Sequence, residues 1–196
     1  MLGGAGFTGG SGLLDACERA GHAAQEATLG EFTAQDIAFL DEIAETILPA
    51  TKTPGAKAAK TGAFMALMVT DSYSPAERDI FCDGMRRVEG AMRKAHGVSF
   101  MQATPPQRTA LLVTLDREQK RAMDARHAAR HALEAAASTE HRAPAHYFRM
   151  MKELALLGYF TSEIGCTQAT RYVETPGRFD PCIPYAPGEP AWAAHA

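Results

Sequence analysis

Side chains that could bind a metal ion are concentrated in one short stretch of the chain. His127 and His131 are four residues apart, and Glu134 follows three residues later. In a helix this spacing places all three on one face, as a zinc site could use them. The surrounding residues are mostly Ala and polar, so they supply no apolar shell to hold such ligands in place. We therefore favour an exposed helix here, and a small helical metalloprotein remains the alternative function.

Motifs for other kinds of chemistry are weaker. Gly4–Gly9 has the G-x-G-x-x-G form, but it stands at the chain start without room for the strand that a dinucleotide site requires. The sequence contains no G-x-S-x-G motif and no Cys in a known nucleophile pattern. We therefore predict no catalytic, cofactor-binding or metal-binding residue. The acids of the first predicted helix are interpreted as helix caps and solvated side chains: Asp36, Asp41, Glu42 and Glu45.

The cysteines are widely spaced and form no C-x-x-C pair, which argues against a zinc ribbon or an iron–sulfur cluster. Structural thiols, one or two disulfides, or a modified cysteine are left open. Cys17 follows Leu13-Leu14-Asp15-Ala16, which resembles the end of an export signal at a lipoprotein cleavage site, so Cys17 is a lipidation candidate. Residues 1–30 are predicted to be a flexible leader with a degenerate export or lipoprotein signal. A Gly-rich leader without any signal is the alternative.

Composition restricts the class of protein. A net charge of −3 gives no general attraction to nucleic acid, and 46% hydrophobic residues are ordinary for a globular chain. No apolar run approaches the roughly 18 residues that a membrane-spanning helix needs. Ala is abundant and β-branched residues are sparse, which favours helices over sheets.

Helix start signals divide residues 31–170 into about five helices. Thr33 with Asp36, Ser74 with Glu77 and Thr104 with Gln107 follow the capping-box spacing. A further helix is predicted at about Ala56–Ser72, burying Phe64, Leu67 and Met68, and Pro144 precedes the fifth. Residues 127–143 are either a continuation of the fourth helix or an irregular excursion. The predicted fold is all-α: an irregular bundle of about five helices with an extended, Pro/Gly-rich C-terminal tail over residues 171–196.

The fifth helix and the tail form the most unusual stretch, Glu153–Trp192. The helix is apolar over most of its circumference, so it belongs in the middle of a bundle or beneath a partner. The tail cannot form regular backbone ladders because proline lacks an N–H group. It is ordered only if it packs on a surface.

Two motifs in this sequence resemble the gluconate 2-dehydrogenase subunit 3 family. The first is LDEIAETILP at Leu40–Pro49, followed by Thr53-Pro54-Gly55-Ala56. The second is LLGYFTSEIG at Leu156–Gly165, followed by Tyr172, Pro176-Gly177-Arg178-Phe179 and Cys182. The order and separation of the motifs carry the resemblance, which covers most of the chain from Phe32 onward. The region between them matches only as helices.

The resemblance implies a function without chemistry of its own. Family members are small subunits of periplasmic, flavin-dependent sugar and polyol dehydrogenases, including the glucoside 3-dehydrogenase type. A GMC-type large subunit carries FAD and oxidises the sugar, and a multi-haem cytochrome c subunit accepts the electrons. The small subunit stabilises the flavoprotein and carries a twin-arginine export signal. No Arg-Arg pair precedes the Gly-rich leader here, so this chain departs from the family at that point.

The resemblance also implies how this chain would act: as a non-catalytic, periplasmic subunit that reaches the membrane only through its partners or a lipid anchor. The tail would lie on the large subunit, with Arg171 at the polar rim and these partner-binding residues: Tyr172, Arg178, Phe179, Cys182, Tyr185 and Trp192. Two disulfide pairings compete. Cys166 and Cys182 could close a turn within the chain, or Cys182 could pair with the partner, since an oxidising periplasm permits either.

Overall fold

The computed structural model describes residues 30, 32–135, 145–175, 177, 182, 184 and 186–193. Within these ranges the fold is all-α, as predicted, and no strand is formed. The helices are α1 (Ala34–Ile47), α2 (Thr61–Ser72), α3 (Pro75–His96), α4 (Pro105–Ala135) and α5 (Tyr147–Phe160), followed by a π-helical turn, Gly165–Ala169. None of the described helices combines the length and apolar character needed to cross a bilayer. The predictions for the leader, including Cys17, and for Arg178, Phe179 and Tyr185 fall outside the described residues.

Local capping signals determine where three of the helices begin. The Thr33 hydroxyl accepts the Asp36 N–H at 3.2 Å, and the Asp36 carboxylate accepts the Thr33 N–H at 2.9 Å. Ser74 and Glu77 form the same reciprocal pair at the start of α3. The Gln107 side chain accepts the Thr104 N–H at 2.8 Å before α4. These starts agree with the sequence prediction because each cap depends only on residues three positions apart.

The start of α2 differs from the prediction. The helix begins at Thr61 rather than near Ala56. Residues 56–60 form turns instead, because the Ala56 N–H bonds to the Leu48 carbonyl at 3.0 Å and Lys60 has a left-handed φ of 54°. Lys60 provides no side-chain cap. The cap comes from α1, where the Asp41 carboxylate accepts the Gly62 N–H at 2.6 Å.

The buried face of α2 also differs from the prediction. Met65, Ala66 and Val69 are fully buried, whereas Leu67 is 42% exposed. Residues 62–69 are apolar on nearly every side, so their periodicity does not select a face. Packing selects it: a Cβ on Gly62 would lie 2.5 Å from backbone atoms of α1, so this side of α2 must touch α1.

Helix α5 is the centre of the bundle. It contacts each of the other four α-helices and the π-helical turn. Phe148 and Met151 are essentially inaccessible, and burying each such side chain contributes about 1.5–3 kcal/mol. Two glycines permit close approach: Gly84 of α3 lies against Tyr147, and Gly158 lies beneath the Phe64 ring of α2. The central position that its apolar circumference suggested is therefore observed.

Helix α4 is 31 residues long and continues through Ala135, so the described part of the 127–143 stretch is helix. Arg108 attaches its first half to α1. The guanidinium forms an ion pair with Glu42 and donates to the carbonyls of Phe100 and Met101, each at 3.0 Å. The Lys152 ammonium donates to Asp116 at 2.6 Å and joins α4 to α5.

Candidate partner-binding surface

The two sequence motifs lie side by side in the fold, although 105 residues separate their contact. The Tyr159 hydroxyl in α5 donates to the Pro54 carbonyl at 2.6 Å. Gly165 then packs so closely on the Tyr159 carbonyl oxygen that a Cβ at this position would overlap it. The end of α1, its following loop, the end of α5 and the π-helical turn therefore form a single structural unit.

Acids of α1 hold the loop in place. The two carboxylate oxygens of Glu45 accept the N–H groups of Ala50 at 2.9 Å and Lys57 at 2.8 Å. Gly55 fits directly against this carboxylate, where a side chain would clash. Glu42 is only 15% exposed and pairs with Arg108 and with Lys57. The interpretation of these α1 acids as caps and solvated side chains is therefore correct for Asp36, which caps α1, and for Asp41, which caps α2. It is wrong for Glu42, which is largely buried in ion pairs, and for Glu45, which binds the loop backbone.

The carboxyl of Asp41 has a raised pKa. Burial raises the pKa of its carboxyl above the ordinary value, although the Gly62 N–H and the charge of Lys57 act in the opposite direction. Both Asp41 and Glu45 accept backbone N–H groups. Asp41 thereby holds the start of α2, and Glu45 holds the loop that follows α1.

A groove opens between the α1 loop and the end of α5. We call it the α5-end groove; its volume is about 250 Å³, and its walls are Ile47, Leu48, Pro49, Thr51, Thr53, Tyr159, Phe160 and Ala169. The rings of Tyr159 and Phe160 meet edge to face, with centroids 5.1 Å apart. Phe160 is 41% exposed and Leu157, one turn earlier, is 46% exposed. The groove therefore presents apolar surface to its surroundings.

Arg171, at the start of the tail, contacts the described residues near its end. Its N–H donates to the Ala191 carbonyl and its own carbonyl accepts the Ala193 N–H, each at 2.8 Å. Its guanidinium carbon lies 4.6 Å from the centre of the Trp192 ring, and it forms an ion pair with Glu189 at 3.3 Å. Arg171 thus contacts the tail itself, and its role at an interface rim stays a prediction.

Two of the predicted anchor residues are on the surface. Trp192 is 50% exposed and Tyr172 is 47% exposed, and Val173 beside Tyr172 is 41% exposed. Cys182 is also exposed. Cys166 lies in the π-helical turn as a thiol that donates to the Phe160 carbonyl at 3.0 Å. Both disulfide pairings stay predictions.

The histidines have different environments. His127 is exposed on α4, and the side chains of His131 and Glu134 fall outside the described residues. Among described side chains, no group of three or more His, Cys, Asp or Glu is placed to hold a metal. His146 accepts the Phe148 N–H at 3.3 Å and caps α5, a role that no sequence signal predicted. Burial lowers the pKa of His146, which favours the neutral ring that this cap requires.

The fold and this surface define a class: an all-helical protein in which most exposed large apolar side chains of the described residues follow from the last turns of its central helix onward. A family model described as Gluconate 2-dehydrogenase subunit 3 matches residues 34–177, which include every described helix. The chain belongs to this family, named for a subunit of a multi-subunit dehydrogenase. No curated protein and no solved structure matches the chain.

Proposed function

We propose that this chain is a non-catalytic small subunit of a periplasmic sugar dehydrogenase. It binds and stabilises a GMC-type catalytic subunit, which holds FAD and oxidises gluconate or a glucoside, and it assists the export of that subunit. A cytochrome c subunit with haem c accepts the electrons and attaches the complex to the membrane. Membership of the subunit family supports the proposal, together with the apolar surface near the end of α5.

The distribution of exposed apolar side chains is the observation that carries the binding role. Single exposed apolar residues are normal on any protein. Here, five of the eight large apolar side chains exposed among the described residues belong to one stretch: Leu157, Phe160, Tyr172, Val173 and Trp192. Aromatic residues of this kind are enriched at the centres of protein interfaces, because they bury a large area at little entropic cost. This stretch is therefore the surface best suited to the catalytic subunit.

Co-expression with a GMC-type flavoprotein from the same genome tests the proposal. We expect the two proteins to co-purify in equal amounts, with the flavin bound only to the flavoprotein. The melting temperature of the flavoprotein should rise when this chain binds. Failure of the full chain to bind, or dehydrogenase activity of this chain alone, would contradict the proposal. Stoichiometric transition metal that is lost in His127→Ala would favour the metalloprotein alternative.

Truncation after Thr175 tests the role of the tail. All residues of the buried core precede this point, so we expect the helical circular dichroism and the melting temperature to be retained. Binding to the flavoprotein should be abolished, because Trp192 and the segment that Arg171 holds are removed. Retained binding would show that the helices alone make the interface.

A further inference from the structure

The loop that forms one side of the α5-end groove is basic, and its three lysines are here called the rim. Residues 49–61 contain three lysines and no acid, in a chain whose net charge is −3. Lys52 lies between Thr51 and Thr53, two walls of the groove, and its side chain is exposed. Lys57 and Lys60 are exposed on the same loop. Positive charge is therefore concentrated beside an apolar opening.

The acids closest to this loop do not neutralise the whole rim. Glu45 is occupied by two backbone N–H groups, and Glu42 is shared between Arg108 and Lys57. Within the described part of the chain, Lys52 and Lys60 take part in no ion pair. Their charges are available to groups from outside the chain.

Lys60 has an additional feature. Its φ of 54° lies in the left-handed region, which glycine adopts without strain and a lysine does not. Its side chain does not cap α2, the helix that it precedes. Strained residues of this kind occur at functional sites, and Lys60 carries a cation that forms no ion pair with the described residues.

The size of the groove limits its occupant. Its volume of about 250 Å³ lies below the 300–1,000 Å³ of typical cofactor and ligand pockets, and apolar side chains form much of its wall. A protein side chain fits this description better than a cofactor. The groove also continues through Phe160 toward the stretch proposed above to bind the catalytic subunit.

We infer that the α5-end groove receives one apolar side chain of the catalytic subunit, aliphatic or aromatic. The segment that carries this side chain also carries Asp or Glu, which pair with Lys52 and Lys60. The inference rests on the proposed function, because it assigns part of the surface through which the flavoprotein is bound.

The first experiment reverses the charge of the rim. The dissociation constant of the full chain and the purified flavoprotein is measured at about 50 mM and about 300 mM salt. The double substitution Lys52→Glu/Lys60→Glu should weaken binding about tenfold at low salt and flatten the salt dependence. The matched control, Lys94→Glu/Arg121→Glu, changes the net charge equally on exposed faces of α3 and α4. It should alter the constant by less than about twofold.

The second experiment blocks the groove. Thr51 is exposed, and its backbone N–H, which donates to the Thr53 carbonyl at 2.9 Å, is kept in Thr51→Trp. This substitution should weaken binding about tenfold at both salt concentrations. Circular dichroism and the melting temperature establish that each variant is folded.

The outcomes distinguish a failure of the proposed function from a failure of the inferred groove contact. If the unmodified chain does not bind the flavoprotein, the proposed function itself fails. If it binds, but either the charge reversal or the blocked groove binds as tightly as the unmodified chain, the inferred contact is wrong. If the unmodified chain forms a dimer that Thr51→Trp dissociates, the groove is an interface between copies of this chain and the inference is likewise overturned.

Discussion

Two irregular segments of this protein, the loop 48–61 and the tail 171–193, are both rich in small residues and proline, yet they are held very differently. Helix side chains bond the loop backbone at several points, with Asp41 and Glu45 from α1 and Tyr159 from α5. In the described part of the tail, Arg171 contacts residues 189–193. The polar groups of the loop backbone are therefore satisfied by side chains of the helices, whereas these contacts of Arg171 join two parts of the tail.

The largest loss of stability should come from Gly165→Ala, which tests how tightly the π-helical turn packs on the end of α5. The new Cβ would overlap the Tyr159 carbonyl oxygen, so α5 and the π-helical turn must separate. We expect a loss of about 3 kcal/mol in the free energy of unfolding, measured by denaturant titration. The matched control is Gly90→Ala, where open solvent surrounds the added methyl group in α3. It should be stabilising by about 0.5–1 kcal/mol. Equal changes in the free energy of unfolding for Gly165→Ala and Gly90→Ala would contradict the close packing at Gly165.

A smaller, pH-dependent effect should come from Asp41. Its pKa is raised in the folded state, so the folded protein binds a proton more readily than the unfolded chain. Asp41 therefore contributes more stability as the pH falls through the folded pKa toward its unfolded value of 3.8, and this contribution is lost as the pH rises. The difference in unfolding free energy between the unmodified protein and Asp41→Asn should shift in favour of the unmodified protein between pH 7 and pH 4. A difference that does not depend on pH would contradict this.

The smallest effect on stability should come from Arg171→Met, which tests how independently the tail is held. The half-exposed contacts of Arg171 lie outside the core. The free energy of unfolding, followed by the helical signal, should therefore fall by less than about 0.5 kcal/mol. Trp192 is the single tryptophan, so its fluorescence reports on the tail alone. Its emission should move to longer wavelength when the guanidinium over the ring is removed. Arg86→Met, an exposed position on α3, is the control and should leave the emission unchanged. Simultaneous unfolding of the Trp192 and helical signals in denaturant would contradict a separately held tail.

The difference between local and distant contacts also explains which features of the fold could be predicted from the sequence. The helix class, the capping boxes at Thr33 and Ser74 and the central place of α5 depend on short spacings or on overall apolar character, and these predictions agree with the structure. The start of α2 was missed because its cap, Asp41, belongs to another helix 21 residues away. The buried face of α2 was missed because packing against Gly62 selects it. Local spacing carries no information about such contacts.

The candidate surface could be predicted only in part. Tyr172 and Trp192 are exposed and their role as anchors stays a prediction, whereas the α5-end groove was not anticipated. Its walls come from residues as far apart in the sequence as Ile47 and Phe160, and the Tyr159–Pro54 hydrogen bond beside it spans 105 residues. The contacts of Arg171 with residues 189–193 were not anticipated either, because no local spacing links residues about 20 positions apart.

The position of α5 has a consequence for biosynthesis. Among the described helices α5 is synthesised last, so the faces of α1 to α4 that pack on it stay uncovered until about residue 160 has been made. Folding must then form contacts between distant parts of the chain, which is slow compared with local helix packing. A chain that ends before Tyr159 lacks the groove, because Tyr159 and Phe160 form one of its walls. Only a chain that extends through Ala169 and has folded can present this groove to another protein.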